Sequence, residues 1–303
     1  AASDVYKRQH SFYQELLIKI FMIKIMKEWV GPFAILLLKR IRVQHHRLSL
    51  SKTIYFNFKC LPFRQACKLP IFIYHNTSIY RIGKIEIKSK EIFQGMIQWG
   101  KLGYKSSGKG KICNNGKIEF EGPVFWWGGC ILENNGTMVF KGYTQIGEGT
   151  LILIRDYLEI GRYTRIGFLS FFMDSDDHFT VNMENQKVAR NKAPIIIGKY
   201  NWIANKTVIK KNTKIPDYTI VASSNTLLSK DYTENGEFCV LGGIPAKVIA
   251  KGIRRIYNYK AEAEINDYFK HNPDCKYLQL DLPQESLETV SYTHLTLPTN
   301  SLV

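Results

Sequence analysis

The stretch "IGKYNWIANKTVIKKNTKIPDYTIVASSNTLLSKDY" (Ile197–Tyr232) divides into six hexads, each of which begins with an aliphatic residue. These first residues are Ile197, Ile203, Ile209, Ile215, Val221 and Leu227. A helix turns by about 100° per residue, so a six-residue spacing would scatter the aliphatic side chains around its surface. An ordinary strand alternates with a period of two and then turns. A triangular coil fits better, because each hexad supplies a short strand and a corner, and three hexads complete one turn.

A second block with the same spacing precedes the first one. It contains "IGRYTR" and "IGFLSF", and its inward positions are predicted to be Ile154, Ile160, Ile166 and Phe172. Looser turns, "NNGKIEFEG" and "NNGTMVFKG", lie further upstream. Stacked turns of this kind pair as parallel strands about 4.8 Å apart. The pattern predicts an all-β chain folded as a parallel β-helix in the shape of a triangular prism.

The two ends of the chain do not fit a protein fold. "AASDVYKRQ" (Ala1–Gln9) can be encoded by a DNA string whose reverse complement encodes "VSYTHLTL" (Val290–Leu297). We therefore interpret residues 1–9 and 290–303 as a translated sequencing adapter. Between them we expect a basic and apolar lead-in at 10–80, a β-helix domain at 81–252 with a loop at 173–194, and a helical tail at 253–289.

The composition limits the possible partners and compartment. The 303 residues carry a formal net charge of +16, which suits a polyanionic partner, an anionic membrane face or a phosphate-rich cofactor. The six cysteines form no CxxC pair, which favours free thiols in a reducing compartment, and hence the cytoplasm, over a disulfide framework or a zinc site. The apolar run at 29–43 is too short to span a bilayer, and we keep open a weak association of this segment with a membrane surface.

Three segments together resemble the hexapeptide-repeat acyltransferases: "PIIIGKYNWIA" (Pro194–Ala204), the hexads themselves, and the closing "VLGGIPAKVIAKG" (Val240–Gly252). Upstream, Leu50–Tyr74 resembles the lead-in of the polysaccharide-biosynthesis O-acetyltransferases of that family. The resemblance implies a left-handed parallel β-helix with short N- and C-terminal helical segments. It also implies a homotrimer with sites between neighbouring prisms, acetyl-CoA as the acyl donor, no metal and no nucleic-acid partner.

The loop "DSDDHFTVNMENQKVARNKA" (Asp174–Ala193) interrupts the hexads and carries their one histidine, His178. The resemblance implies that this loop brings His178 to the subunit boundary as a general base. Imidazole suits that role because it exchanges protons near neutral pH. Asp176 or Asp174 would orient the ring, and Asp174 is also a candidate for acceptor contact. The plain alternative is a surface histidine with no role.

Other sites fit the sequence less well. A metal-binding "DxD" glycosyltransferase site would need strands that alternate with long helices, which the flanks do not show. A zinc enzyme on the same fold needs three histidines in the coils, and an EF-hand loop needs a glycine and a final glutamate that are missing here. "GYKSSGKG" (Gly103–Gly110) nearly spells a phosphate loop, but Gly110 replaces the Ser or Thr and a strand-like segment follows.

The resemblance also implies contacts with both substrates. Coenzyme A is assigned to Ala204, Asn205, Ala222, Ser223, Ser229, Lys230, Lys247 and Lys251. Trp202 is assigned to the acceptor or thioester pocket. The alternative is that the small residues merely fit the corners. The sequence thus predicts an acyl-CoA-dependent O-acyltransferase that acetylates a sugar hydroxyl of a surface polysaccharide. N-acetylation of an amino sugar, a non-catalytic β-helix scaffold and a membrane-surface protein are the alternatives.

Overall fold

The structure is a computed structural model, and it describes residues 47–101, 108–280 and 284–288. The predictions made for 1–9, for 29–43 and for 290–303 lie outside these residues. Two helices come first, α1 (Leu50–Cys60) and α2 (Phe63–Ala66), and α3 (Tyr259–His271) comes near the end. Short 3₁₀ helices span Thr233–Asn235 and Gln284–Leu287. None of the helices in the described part of the chain combines the length and apolarity needed to cross a membrane.

Strands make up most of the described chain. In chain order they are β1 (Ile71–Ile73), β2 (Thr77–Arg81), β3 (Lys84–Ile87), β4 (Ile97–Lys101), β5 (Gly110–Asn114), β6 (Lys117–Phe120), β7 (Val124–Trp127), β8 (Ile131–Asn134), β9 (Thr137–Phe140), β10 (Thr144–Ile146) and β11 (Leu151–Ile154). The second half consists of β12 (Tyr157–Ile160), β13 (Arg165–Ile166), β14 (Phe171–Met173), β15 (Ile195–Ile197), β16 (Trp202–Ile203), β17 (Val208–Lys210), β18 (Lys214–Ile215), β19 (Ile220–Val221), β20 (Leu227–Leu228), β21 (Cys239–Gly242) and β22 (Lys247–Lys251).

Successive strands pass to three sheets in turn, so that three strands make one coil. Sheet A has the order β1-β4-β7-β10-β13-β16-β19-β21-β22, sheet B the order β2-β5-β8-β11-β14-β17-β20, and sheet C the order β3-β6-β9-β12-β15-β18. Every strand pair is parallel except β21 with β22, which closes the stack as an antiparallel pair. The three parallel sheets confirm the predicted β-helix with short flanking helices.

The coils have two lengths. Ile118 pairs with Met138 and Met138 pairs with Leu158, so each of these coils advances by 20 residues. Ile203 pairs with Val221, so the coil within the hexads advances by 18. The six-residue period therefore describes the last coils, while the "NNG" segments upstream add residues at the corner between sheets B and C.

The interior of the prism consists of the predicted aliphatic positions, with one difference. Ile160, Ile203 and Val221 are completely buried, as expected. The sixth hexad is shifted by one residue, because Leu228 rather than Leu227 is buried. The corner before this hexad holds one residue more than the same corner of the preceding coil. Val208 accordingly pairs with Leu227, nineteen positions later, whereas Ile203 pairs with Val221, eighteen positions later.

The first helix covers the N-terminal end of the stack. Ser49 caps α1 by accepting a hydrogen bond from the Lys52 amide. The buried Asn57 side chain bonds both backbone groups of Ile71, donating to its carbonyl at 2.6 Å and accepting from its amide at 3.0 Å. The coils thus begin at Ile71, ten residues before the expected boundary at 81.

The described residues from Arg254 onward belong to a separate compact unit. Its helix α3 is capped by Asn258, whose side chain accepts from the amides of Lys260 and Ala261. Lys270 and His271 lie in the last turn, where cationic side chains favour the carbonyl end of a helix.

Candidate active site

The loop of residues 174–194 leaves the stack between β14 in sheet B and β15 in sheet C. Its base is closed by backbone hydrogen bonds, from Asp176 to the Asn191 carbonyl at 2.8 Å and from Ala193 to the Asp174 carbonyl at 3.0 Å. A bridge between Ser175 and Lys192 lies beside them. The two ends of the loop are therefore held together at the surface of the prism.

The outer part of the loop turns back on itself. Val181 and Val188 form a bridge, and the Asn182 side chain accepts the amide of Glu184 at 2.8 Å. Large apolar side chains nevertheless face solvent here, with Met183 75% exposed. An ordered loop with exposed apolar side chains is typical of a surface that another molecule covers.

His178 lies in this loop and is exposed. Among the described residues its ring has no hydrogen-bond or ion-pair partner. The imidazole is therefore accessible to a bound substrate, as a general base must be. No carboxylate among the described residues orients this ring.

The Asp176 carboxylate is held by lysines instead of by the imidazole. Its oxygens lie 2.6 Å from the Lys211 ammonium and 3.9 Å from that of Lys210. The next residue, Asp177, pairs with Arg155 at 3.3 Å. The structure does not bring Asp176 to His178, because the nearby cations engage its carboxylate, and we leave it out of the proposed proton transfer.

Asp174 occupies a different place from the one expected. Its side chain is completely buried, and its carboxylate accepts the backbone amides of Arg155 and Asp156 at 2.7 Å and of Tyr157 at 2.9 Å. Burial raises the pKa of this carboxyl, while the three amide donors act in the opposite direction. The prediction that Asp174 contacts the acceptor or orients His178 is therefore corrected: its carboxylate faces inward and anchors the loop to the preceding coil.

The residues assigned to the pantetheine arm lie together on the corner between sheets A and B, which we name the A/B corner. Ala204 and Asn205 follow β16, and Ala222 and Ser223 follow β19 one coil later. Hydrogen bonds join these coils, from the Ala204 amide to the Val221 carbonyl at 2.9 Å and from the Ser224 amide to the Asn205 carbonyl at 3.2 Å. The side chains at this corner are small and partly exposed, so a ligand could approach the backbone.

The other predicted contacts are more widely spread. Trp202 is 40% exposed on the outer face of sheet A, in register with Arg165 and Ile220. Ser229 and Lys230 follow β20, at the edge of sheet B opposite to the A/B corner. The Lys230 ammonium lies 5.4 Å from the centre of the Tyr232 ring. The remaining two candidates, Lys247 and Lys251, project from the edge strand β22. The structure thus groups four of these residues at one corner and places the rest elsewhere.

Sheet B separates the two halves of the candidate site. The loop with His178 leaves at the edge of sheet B that leads to sheet C, whereas the A/B corner lies at the opposite edge. One prism therefore does not join the imidazole to the candidate thioester corner.

The outer face of sheet B is apolar, a feature that the sequence reading missed. Paired positions of successive strands form an outward column of Ile131, Leu151, Phe171, Val208 and Leu227. These side chains are half-buried or exposed within the single chain. The signal in the sequence was the unbroken apolar runs "LILI" and "FFM", which are typical of strands covered on both faces.

No family model and no curated protein matches the sequence. Solved structures do match. The polySia-specific acetyltransferase NeuO is 19% identical with a TM-score of 0.41, over 66% of this chain and 98% of that one. The polysialic acid O-acetyltransferase OatWY is 19% identical with a TM-score of 0.37, over 64% and 96%. AntD, an N-acyltransferase from Bacillus cereus, is 15% identical with a TM-score of 0.35, over 68% and 89%.

Proposed function

We propose that the protein is an acetyl-CoA-dependent O-acyltransferase that acetylates a sugar hydroxyl of a surface polysaccharide or related glycan. The observation that carries the proposal is the exposed imidazole of His178, which has no partner in the described part of the chain and lies on a loop anchored to the coil stack. The hexads and the closing "GGIPAKVIAKG" add the resemblance to acyltransferases.

In the proposed reaction His178 takes the proton of the sugar hydroxyl while the hydroxyl oxygen attacks the thioester carbonyl. The carbon–sulfur bond then breaks, the acetyl group remains on the sugar oxygen, and the thiolate of coenzyme A recovers a proton. A positioned general base of this kind contributes about 10²–10⁴-fold to the rate. A loss of that size on removing His178 is therefore the signature of the mechanism.

The A/B corner supplies a place for the acyl donor. Ala204, Ala222 and Ser223 have short side chains, which leaves the backbone amides and carbonyls of the corner open to the amides of pantetheine. Trp202 on the adjoining face of sheet A supplies an exposed ring as a wall of the acceptor or thioester pocket.

A homotrimer completes the site in this proposal. The loop of one protomer reaches the A/B corner of its neighbour, because within one prism the two features lie at opposite edges of sheet B. The apolar outer face of sheet B, which begins at Ile131 and ends at Leu227, is then covered by the neighbouring copy.

Release of free thiol from acetyl-CoA in the presence of candidate sugars tests the activity. His178→Ala should reduce turnover by about 10²–10⁴-fold, while Asn182→Ala, also in the loop, should not. Unchanged turnover in His178→Ala would refute the mechanism. Cleavage of the product by neutral hydroxylamine identifies an O-ester, and a resistant product identifies the N-acyl alternative. A chain that neither binds acetyl-CoA nor releases thiol with any acceptor would be the scaffold alternative.

Mixing two inactive variants tests the shared site. His178→Ala lacks the base, and Ala222→Trp blocks the A/B corner. If each site takes its loop and its corner from different protomers, random 1:1 trimers regain about one quarter of the wild-type activity. Activity that stays at the level of the separate variants would place both features in one protomer.

A further inference from the structure

A groove lies on the outer face of sheet C, away from the A/B corner. Its volume is about 470 Å³, within the range of about 300–1,000 Å³ typical of small-ligand sites. We name it the sheet C groove, and the lining residues that matter here are Arg162, Ile196, Lys199, Lys214, Pro216 and Asp217. The sequence reading assigned no role to these residues.

The groove combines an apolar floor with a cationic rim. Ile196 and Pro216 are partly exposed on the floor. Four cationic side chains face two carboxylates across the lining. Lys199 lies 3.5 Å from Asp217, whose carboxylate also accepts the Lys199 amide at 2.8 Å. Lys214 lies 2.9 Å from Asp231. These lysines are therefore already compensated by acidic side chains.

Arg162 differs from these lysines. It is exposed, and among the described residues no carboxylate pairs with it. Its guanidinium lies 4.6 Å from the ring centre of Tyr143 and 5.3 Å from that of Tyr163. Stacking on ring faces leaves the N–H edge of a guanidinium available, and that edge matches the two oxygens of a carboxylate.

A ladder of stacked tyrosine rings lies beside Arg162. Tyr163 stacks on Tyr143 at 4.8 Å and on Tyr200 at 4.7 Å, and Tyr218 continues the ladder at 5.2 Å from Tyr200. The Tyr200 amide also donates to the Arg162 carbonyl at 2.8 Å. The position of Arg162 is therefore fixed before any ligand arrives, which lowers the entropy cost of binding.

We propose that the sheet C groove binds a carboxylate-bearing sugar unit of an acidic glycan. The Arg162 guanidinium would receive the carboxylate, and the C–H face of the sugar ring would lie on Ile196 and Pro216. The inference deepens the proposed function, on which it rests for the glycan as substrate: it makes the acceptor an acidic polymer held on sheet C while another unit is acetylated.

Binding measured without an acyl donor tests this inference apart from the chemistry. The probe is fluorescently labelled oligogalacturonate on the full chain, with a neutral dextran oligomer as the comparison. Arg162→Gln should weaken oligogalacturonate binding by about ten- to a hundredfold, the range for the loss of a charge-assisted hydrogen bond. The matched control is Lys84→Gln, an exposed lysine in an early coil of sheet C, and it should bind like wild type.

Three results would overturn the inference: equal binding by Arg162→Gln and wild type, equal binding of dextran and oligogalacturonate, or displacement of the probe by excess coenzyme A. The last result would assign the groove to the phosphates of the donor. A wild-type chain that releases thiol with a sugar acceptor but does not bind oligogalacturonate would overturn the groove alone. Specific binding by a chain that releases no thiol with any acceptor would support the groove and overturn the proposed function.

Discussion

Replacing Asp174 by alanine tests how the loop is anchored. The buried carboxylate accepts three backbone amides, those of residues 155, 156 and 157. A buried donor left without an acceptor costs about 1–3 kcal/mol. The three donors belong to half-buried residues, so water can reach part of the vacated space. Three such donors would together cost about 3–9 kcal/mol. Because water can replace part of the lost bonding, we expect the lower end of that range, a loss of about 3 kcal/mol in the free energy of unfolding.

The pH dependence of this loss has a defined sign. Burial raises the pKa of Asp174 in the folded chain above its ordinary value. At pH values between the ordinary pKa and the raised pKa, the folded chain holds the proton more tightly than the unfolded chain. The contribution of this carboxyl to stability therefore falls as the pH rises from the first pKa to the second. Asp174→Ala lacks this pH dependence. The loss in the free energy of unfolding caused by the substitution should therefore be larger at a pH below the ordinary pKa of the carboxyl than at neutral pH.

Thermal unfolding followed by circular dichroism measures the effect. A domain of this size loses about 2–4 °C of melting temperature per kcal/mol, so Asp174→Ala should melt about 6–12 °C below wild type. The control is Asp177→Asn, which removes only the partly exposed pair with Arg155 and should cost less than about 1 kcal/mol. Equal melting temperatures for the two variants would refute the anchoring role of Asp174. Thiol release should fall in Asp174→Ala, because His178 loses its fixed position.

Three further predictions concern the coils. A Cβ atom added at Gly161 would lie 2.3 Å from the backbone of the next coil, so Gly161→Ala should cost about 1–3 kcal/mol or more from that clash. Gly236→Ala meets nothing within 4 Å, so its cost of about 1–3 kcal/mol should come only from backbone strain at φ 72° and ψ −174°. Burial raises the pKa of the Cys130 thiol to about 12, whereas Cys67 is exposed, so a thiol reagent should label Cys67 in the native protein and Cys130 only after unfolding. Hydrogen bonds from neighbouring lysines lower the pKa of Glu86 to about 2. The contribution of Glu86 to stability is therefore fully present at a pH above its ordinary pKa and is lost as the pH falls towards 2. In an acid titration, Glu86→Gln should lack this part of the pH dependence of the free energy of unfolding.

The hexads predicted the interior because six residues per side is a geometric requirement of a triangular coil. Ile203 and Val221 were placed correctly for that reason. The prediction failed at Leu227 because a corner can take an extra residue without breaking the strand pairs on either side, and such a residue shifts every later position. A corner insertion leaves no mark in the aliphatic pattern until the next strand begins.

The role of Asp174 was missed because the upstream period was not recognised. Asn114 and Asn134 lie 20 residues apart and pair in register, and both are completely buried. The side-chain amide of Asn134 donates to the side-chain oxygen of Asn114 at 2.8 Å. Asn134 pairs in turn with Ile154, and Asp174 comes 20 residues later in the same column. Counting in twenties from the "NNG" segments would have placed Asp174 inside this corner.

The place of His178 on an exposed loop could be predicted because a loop that interrupts the hexads is visible as a gap in the period. Its surroundings could not be predicted, since Lys211, which holds Asp176 at 2.6 Å, belongs to the coil after the loop. Which lysine of a basic chain reaches a given carboxylate depends on how two coils stack. The groove at Arg162 was invisible for the same reason, because its walls come from corners of different coils.

The position of the loop explains how one fold can hold both a fixed scaffold and variable chemistry. Ile160 and Ile197 still pair in register across the inserted residues, so the loop leaves and rejoins the stack without disturbing it. Lengthening such a loop costs little, because closure entropy grows only with the logarithm of its length. The coils before the loop advance by 20 residues and the coil after it by 18, so the loop lies where the wider coils give way to the strict hexads. A change in the loop sequence can therefore alter the surroundings of His178 while the hexads keep the A/B corner unchanged.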